Sequence, residues 1–125
     1  PIETAMLKAI SKSTSSGGSA LTLDTGSAAQ PSLVVTNTAT LSVPLAGTNG
    51  FVKSGPGTLV LAASNPLSGP LNLDRGIDGN NHDGITRIAH PGAVALVNAL
   101  NIRNTSVSTA GGATLQLDGS AGTIV

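Results

Sequence analysis

The sequence predicts an all-β fold of short strands stacked as a parallel β-solenoid, on three observations. Apolar residues alternate with polar ones over stretches too short for helices, Gly, Pro, Asn and Ser separate those stretches, and one short pattern recurs along the chain. A β-sandwich or jelly roll fits the same strand spacing and is the alternative all-β arrangement.

The first element is different from the rest. In Glu3 to Ile10 the apolar residues Ile2, Met6, Ala9 and Ile10 fall on one face of a possible helix, and Ser11 to Gly18 reads as a flexible linker. Residues 1–18 are therefore expected to be an N-terminal cap or extended arm plus a Ser/Gly linker, and 19–125 the stacked repeats. The end of such a stack carries unpaired backbone groups, so an arm could close it or pair with a neighbouring molecule. The opening Pro1-Ile2-Glu3 has neither an initiator Met nor a signal-peptide pattern, which predicts a processed chain or a piece of something longer.

From Gly17 onward the strand candidates follow in order: Leu21–Leu23, Leu33–Val35, Leu41–Val43, Leu59–Leu61, Leu71–Leu73, Leu100–Ile102 and Leu115–Leu117. Leu-x-Leu-Asp occurs at Leu21–Asp24, Leu71–Asp74 and Leu115–Asp118, at intervals of 50 and 44 residues. Each interval suits two coils of roughly 20–29 residues, about five coils in all.

Composition agrees with thin, repeated layers. The 125 residues are 39% hydrophobic but contain one Phe and no Trp or Tyr, so burial must come from Leu, Val, Ile and Ala. Six basic and six acidic residues give a net charge of zero, which builds no field for nucleic acid. No apolar run reaches the length of a membrane helix, so membrane insertion of this segment is not expected. The absence of Cys excludes thiolate chemistry and Cys-based zinc sites.

The segment 47–61 reads Gly-Thr-Asn-Gly-Phe-Val-Lys-Ser-Gly-Pro-Gly-Thr-Leu-Val-Leu. Gly55 and Gly57 around Pro56 predict a tight turn, after which Thr58 opens a strand with Leu59 and Leu61 inward. This segment resembles the autotransporter-associated β-strand repeat, also called the passenger-associated transport repeat. Lys53, Gly55, Gly57, Thr58, Leu59 and Leu61 match its motif, Phe51 stands at its first Leu position, and Asn65, Ser68-Gly69 and Leu71–Leu73 continue it. The aromatic turn of the motif is replaced by Asn65-Pro66-Leu67-Ser68-Gly69. The resemblance implies a right-handed parallel β-helix in large secreted or surface-anchored bacterial proteins, with no catalytic residues to carry over.

One polar cluster stands out, Asp78 to Gly84. Asp78, Asn80 and Asp83 are candidate calcium ligands, although the spacing is off by one residue and no Glu closes the loop. The same stretch reads as a loop protruding between coils, with Asn80, Asn81 and His82 as a candidate recognition surface. His82 and His90 flank a predicted strand without further zinc ligands, and His90-Pro91-Gly92 is a turn signature. The Asn104–Ser106 glycosylation sequon is a match that chance readily produces in so Asn- and Thr-rich a chain.

The acids are dispersed, and Asp24, Asp74 and Asp118 read as strand-ending turn residues. The expected function is structural and non-enzymatic, with no cofactor: an extracellular stalk, surface-display segment or filament subunit that joins copies of itself end to end or neighbouring repeats of a longer chain. A carbohydrate-binding or adhesion module that takes polysaccharide is the alternative, and a polysaccharide-degrading β-helix enzyme a third reading. The scarcity of aromatics weighs against sugar stacking, and the dispersed acids against hydrolysis.

Overall fold

A computed structural model of the chain describes residues 20–23, 29–74, 84–103 and 113–124. Within them lie β1 (Leu21–Thr22), β2 (Ser32–Val34), β3 (Thr38–Leu41), β4 (Leu45–Ala46), β5 (Phe51–Ser54), β6 (Thr58–Leu61), β7 (Gly69–Asp74), β8 (Ile85–Ile88), β9 (Val97–Arg103) and β10 (Thr114–Leu117). A 3-10 turn, Gly119–Ala121, follows β10 with Asp118 at its N-cap. The strands are brief because Gly, Pro, Asn or Ser interrupts the apolar alternation every few residues, as in Ser54-Gly55-Pro56-Gly57 between β5 and β6.

Two long sheets, β2-β5-β7-β9 and β3-β6-β8-β10, stand with a short one, β1-β4. Every pairing among the described strands is parallel, whereas sandwiches are assembled from antiparallel sheets. The chain visits the sheets in rotation. Leu33 lies beside Lys53 and Lys53 beside Leu73, an offset of 20 residues each time, and Leu73 lies beside Ile102 at an offset of 29. In the second long sheet Leu41, Leu61, Ile88 and Leu117 form one row, at offsets of 20, 27 and 29.

These offsets span the interval expected from the sequence, but the Leu-x-Leu-Asp recurrence is not their cause. Its three copies begin on β1, β7 and β10, which belong to three different sheets. Leu-x-Leu is what any half-buried strand presents, so the pattern marks strands rather than equivalent places in a repeat. The strand expected at Leu41–Val43 is likewise displaced, ending at Leu41 and beginning at Thr38. Its parity is set by the next row, where Ala39 and Leu41 lie on Leu59 and Leu61.

The third face needs a different solution. After β4 pairs with β1, the next passage contains Asn65-Pro66-Leu67, and Pro66 has no N–H to offer a ladder. Buried Asn65 bridges the gap. Its Oδ1 accepts from Leu45 N at 2.9 Å, its Nδ2 donates to Ala93 O at 2.9 Å, and its own N donates to Gly92 O at 3.1 Å. One amide side chain thereby ties three successive passages together.

Aliphatic rows fill the interior. Leu33, Leu41, Leu45, Phe51, Leu59, Leu61, Leu67, Leu71, Leu73 and Ile88 are all nearly inaccessible. Outside, side-chain amides form a matching polar row: Asn101 Nδ2 donates to Asn72 Oδ1 at 2.9 Å, and Asn72 Nδ2 to Gln30 Oε1 at 2.6 Å. The two ends of the rows differ. At β2 and β3, Leu33 and Leu41 are 1% and 2% exposed, whereas at β9 and β10, Ile102 and Leu117 are 53% and 63% exposed.

That contrast sets a stability gradient along one row. Leu61→Ala is expected to lower the unfolding free energy by about 2–5 kcal/mol, and Leu117→Ala by less than about 1 kcal/mol. Urea denaturation of both variants checks this; equal losses would mean that the last layer is covered in solution.

Candidate functional site

The most unusual group in the interior is Lys53. It occupies an inward position of β5, between Leu33 and Leu73, and is 1% exposed. Its parity is that of Phe51, so strand alternation sends the side chain into the core. The ammonium reaches the corner between the two long sheets, where Nζ donates to Gly57 O at 2.7 Å and Gly55 O at 3.1 Å. Burial pulls its pKa down from 10.5 to about 8.

The corner is shaped around that contact. Gly55 takes φ +89°, which turns the chain sharply before Pro56. Gly57 O also accepts from Ile85 N at 3.1 Å, so the corner carbonyls serve both the next strand and the ammonium. Gly84, in the following passage, crosses close above: a Cβ there would lie 2.5 Å from Lys53 Nζ. Thus Lys53 gathers main-chain carbonyls that a turn directs inward, and an apolar residue could not.

The other motif residues build the same corner and the rows beside it. Thr58 opens β6, and Leu59 and Leu61 are both fully buried. The motif therefore forms one connected structural unit. Sequence matching singled out Lys53 but did not read its burial, although its alternation with Phe51 carries that signal. It missed Thr86, an inward β8 residue in register with Leu59 and Leu115, whose buried hydroxyl has no hydrogen-bond partner. Ser54 Oγ is buried without a partner as well.

The candidate calcium ligands Asp78, Asn80 and Asp83, and the loop residues Asn80, Asn81 and His82, lie outside the described residues, as do the sequon and residues 1–18. Among the described residues no group of three His, Cys, Asp or Glu side chains is placed to hold a metal ion. His90 sits in the expected turn, its Nδ1 accepting from Gly92 N at 3.0 Å. Asp118 ends β10 as a turn residue, accepting from Ser120 N at 3.0 Å. None of the described helical residues forms a helix long and apolar enough to cross a membrane.

No protein-family model matches the chain, and neither a curated protein nor a solved structure matches it.

Lys53 and Thr86 each yield an expectation about stability. Between about pH 8 and 10.5 the unfolded chain holds the Lys53 proton and the folded chain does not, so stability rises with pH across that window. Lys53→Met should remove this rise. Denaturation curves of both proteins at pH 7.5 and pH 10.5, compared as differences, measure the effect. Thr86→Val discards an unpaired buried hydroxyl at nearly constant volume and is expected to stabilise by about 1 kcal/mol. A loss of similar size in thermal unfolding would show that the hydroxyl is hydrogen-bonded in solution.

Proposed function

We propose that the chain is a structural module of an extracellular, surface-displayed protein, folded as a right-handed β-solenoid and without catalytic activity. The observation that carries this reading is the register of Leu33, Lys53 and Leu73, in which the chain returns to the same sheet every 20 residues in parallel. Continuous inner rows of Leu and an outer row of Gln30, Asn72 and Asn101 support it, since such rows stiffen a stack along its axis. The resemblance of residues 47–61 to the autotransporter-associated repeat supports the secreted setting and the handedness.

In this reading the module is a rigid stalk segment or filament subunit whose working parts are its layers. Each layer contacts only its neighbours, so length is added without redesigning the rest. The exposed Leu100, Ile102 and Leu117 at the β9–β10 end favour joining to further β structure there. Buried Leu33 and Leu41 disfavour an equivalent joint at β2 and β3.

Negative-stain electron microscopy and polysaccharide degradation assays test the proposal together. Straight particles of constant width, single or in file, are expected, with no reducing ends released from pectin, alginate or xylan. Release of reducing sugar, or round particles without a constant width, would overturn it.

A further inference from the structure

We propose that the outer edge of β9 is a self-association surface, on which a second copy of this chain docks tail to tail about a two-fold axis. This rests on the stalk reading and names the partner at its β9–β10 end. All four large apolar side chains exposed among the described residues lie there: Leu100 and Ile102 on β9, Leu117 on β10, and Leu96 directly before β9. Apolar exposure gathered in one place marks an interaction site, whereas scattered single residues do not.

The edge of β9 continues a contact already made inside the chain. Leu100, Asn101 and Ile102 lie in register on Leu71, Asn72 and Leu73 of β7. Leu71 and Leu73 are fully buried, whereas Leu100 and Ile102, at the same inward positions, are 40% and 53% exposed. On the outer side Asn101 Nδ2 donates to Asn72 Oδ1 at 2.9 Å. β9 is the last strand of its sheet, so its far edge carries backbone donors and acceptors that a further strand would pair. The strand that extends all three rows presents an aliphatic, an amide and an aliphatic residue in succession.

β9 is itself such a strand. Its pattern reads the same in both directions, so a two-fold axis through Asn101 sets Leu100 against Ile102 of the second copy and Asn101 against Asn101. The axis reverses the strand, and the resulting antiparallel ladder is slightly more stable per residue than the parallel pairings within the chain. Each amide has a carbonyl oxygen and a second hydrogen to exchange with its counterpart. Charge does not oppose the contact, because these three residues are uncharged and the chain has no net charge. Head-to-tail joining fits less well. β2 reads Ser32-Leu33-Val34, without an amide, and Leu33 at 1% exposure has no apolar surface to give. A two-fold joint uses the β9–β10 end alone and closes at two copies.

The end of one coil is a small patch, so a transient dimer is expected, with a dissociation constant on the order of 10 μM. Sedimentation equilibrium from about 1 to 300 μM should show one step, from the mass of the chain to twice that mass. Ile102→Lys should weaken dimerisation about a hundredfold, since the substitution enters the joint twice. Ile102 is half exposed, so the variant is expected to fold, which circular dichroism checks. The chain has no cysteine, so Asn101→Cys introduces a single thiol. The axis places that thiol opposite its own copy, at the roughly 4.5–5.5 Å between Cα atoms that an antiparallel pair and a disulfide share. Oxidation should convert this variant to a covalent dimer. A chain monomeric across the whole range would overturn the proposal, as would Ile102→Lys dimerising undiminished or mass growing beyond two copies. So would the absence of a disulfide in Asn101→Cys where the unsubstituted chain dimerises. In each of these cases, straight particles of constant width in electron micrographs would leave the stalk reading standing.

Discussion

Parallel in-register pairing is the constraint on which everything else in this chain depends. Once Leu33, Lys53 and Leu73 share a row, each residue's surroundings are decided by the residues one passage before and after it. Strands in such a stack lie about 4.8 Å apart, which leaves little room for a side chain to avoid its vertical neighbours. Leu suits these rows, because like shapes pack on like and the branched end fills the space between layers. A single Phe is accommodated at Phe51, on top of Leu71. The scarcity of aromatics follows from the same geometry, since a wide ring in every layer would force adjacent layers apart.

The interior is nevertheless not purely aliphatic, and its exceptions stand where the backbone bends. Lys53 serves a corner where Gly55 turns the chain sharply, and Asn65 serves a face where proline prevents a strand. Both act as substitutes for main-chain hydrogen bonding, one as a donor and one as donor and acceptor together. Removing either would leave buried backbone groups unpaired, which is costlier than the loss of the side chain's own packing. Thr86 has no such task.

Much of the architecture was legible in the sequence, because alternation and turn residues act locally. The strands at Leu59–Leu61, Leu71–Leu73 and Leu115–Leu117, the turn at Gly55-Pro56-Gly57 and the turn at His90 all depend on neighbouring residues alone. Register was not legible, because it depends on residues 20 to 29 positions apart competing for one row. The Leu-x-Leu-Asp copies looked equivalent and are not, since strands of three different sheets all need the same alternation. The Arg87 Nε to Gln116 Oε1 hydrogen bond was hidden for the same reason, since the two residues are 29 apart and meet only through the sheet. The loop residues Asn80 to Asp83 lie outside the described residues.

The unequal burial of the two ends bears on how the chain is made. Buried Leu33 and Leu41 precede exposed Ile102 and Leu117 in the sequence, and a ribosome delivers them first. Each strand after β4 then pairs with one made before it, β5 with β2, β6 with β3, β7 with β5, β8 with β6, β9 with β7 and β10 with β8. Loop closure in each step spans only 20 to 29 residues, however tall the stack becomes.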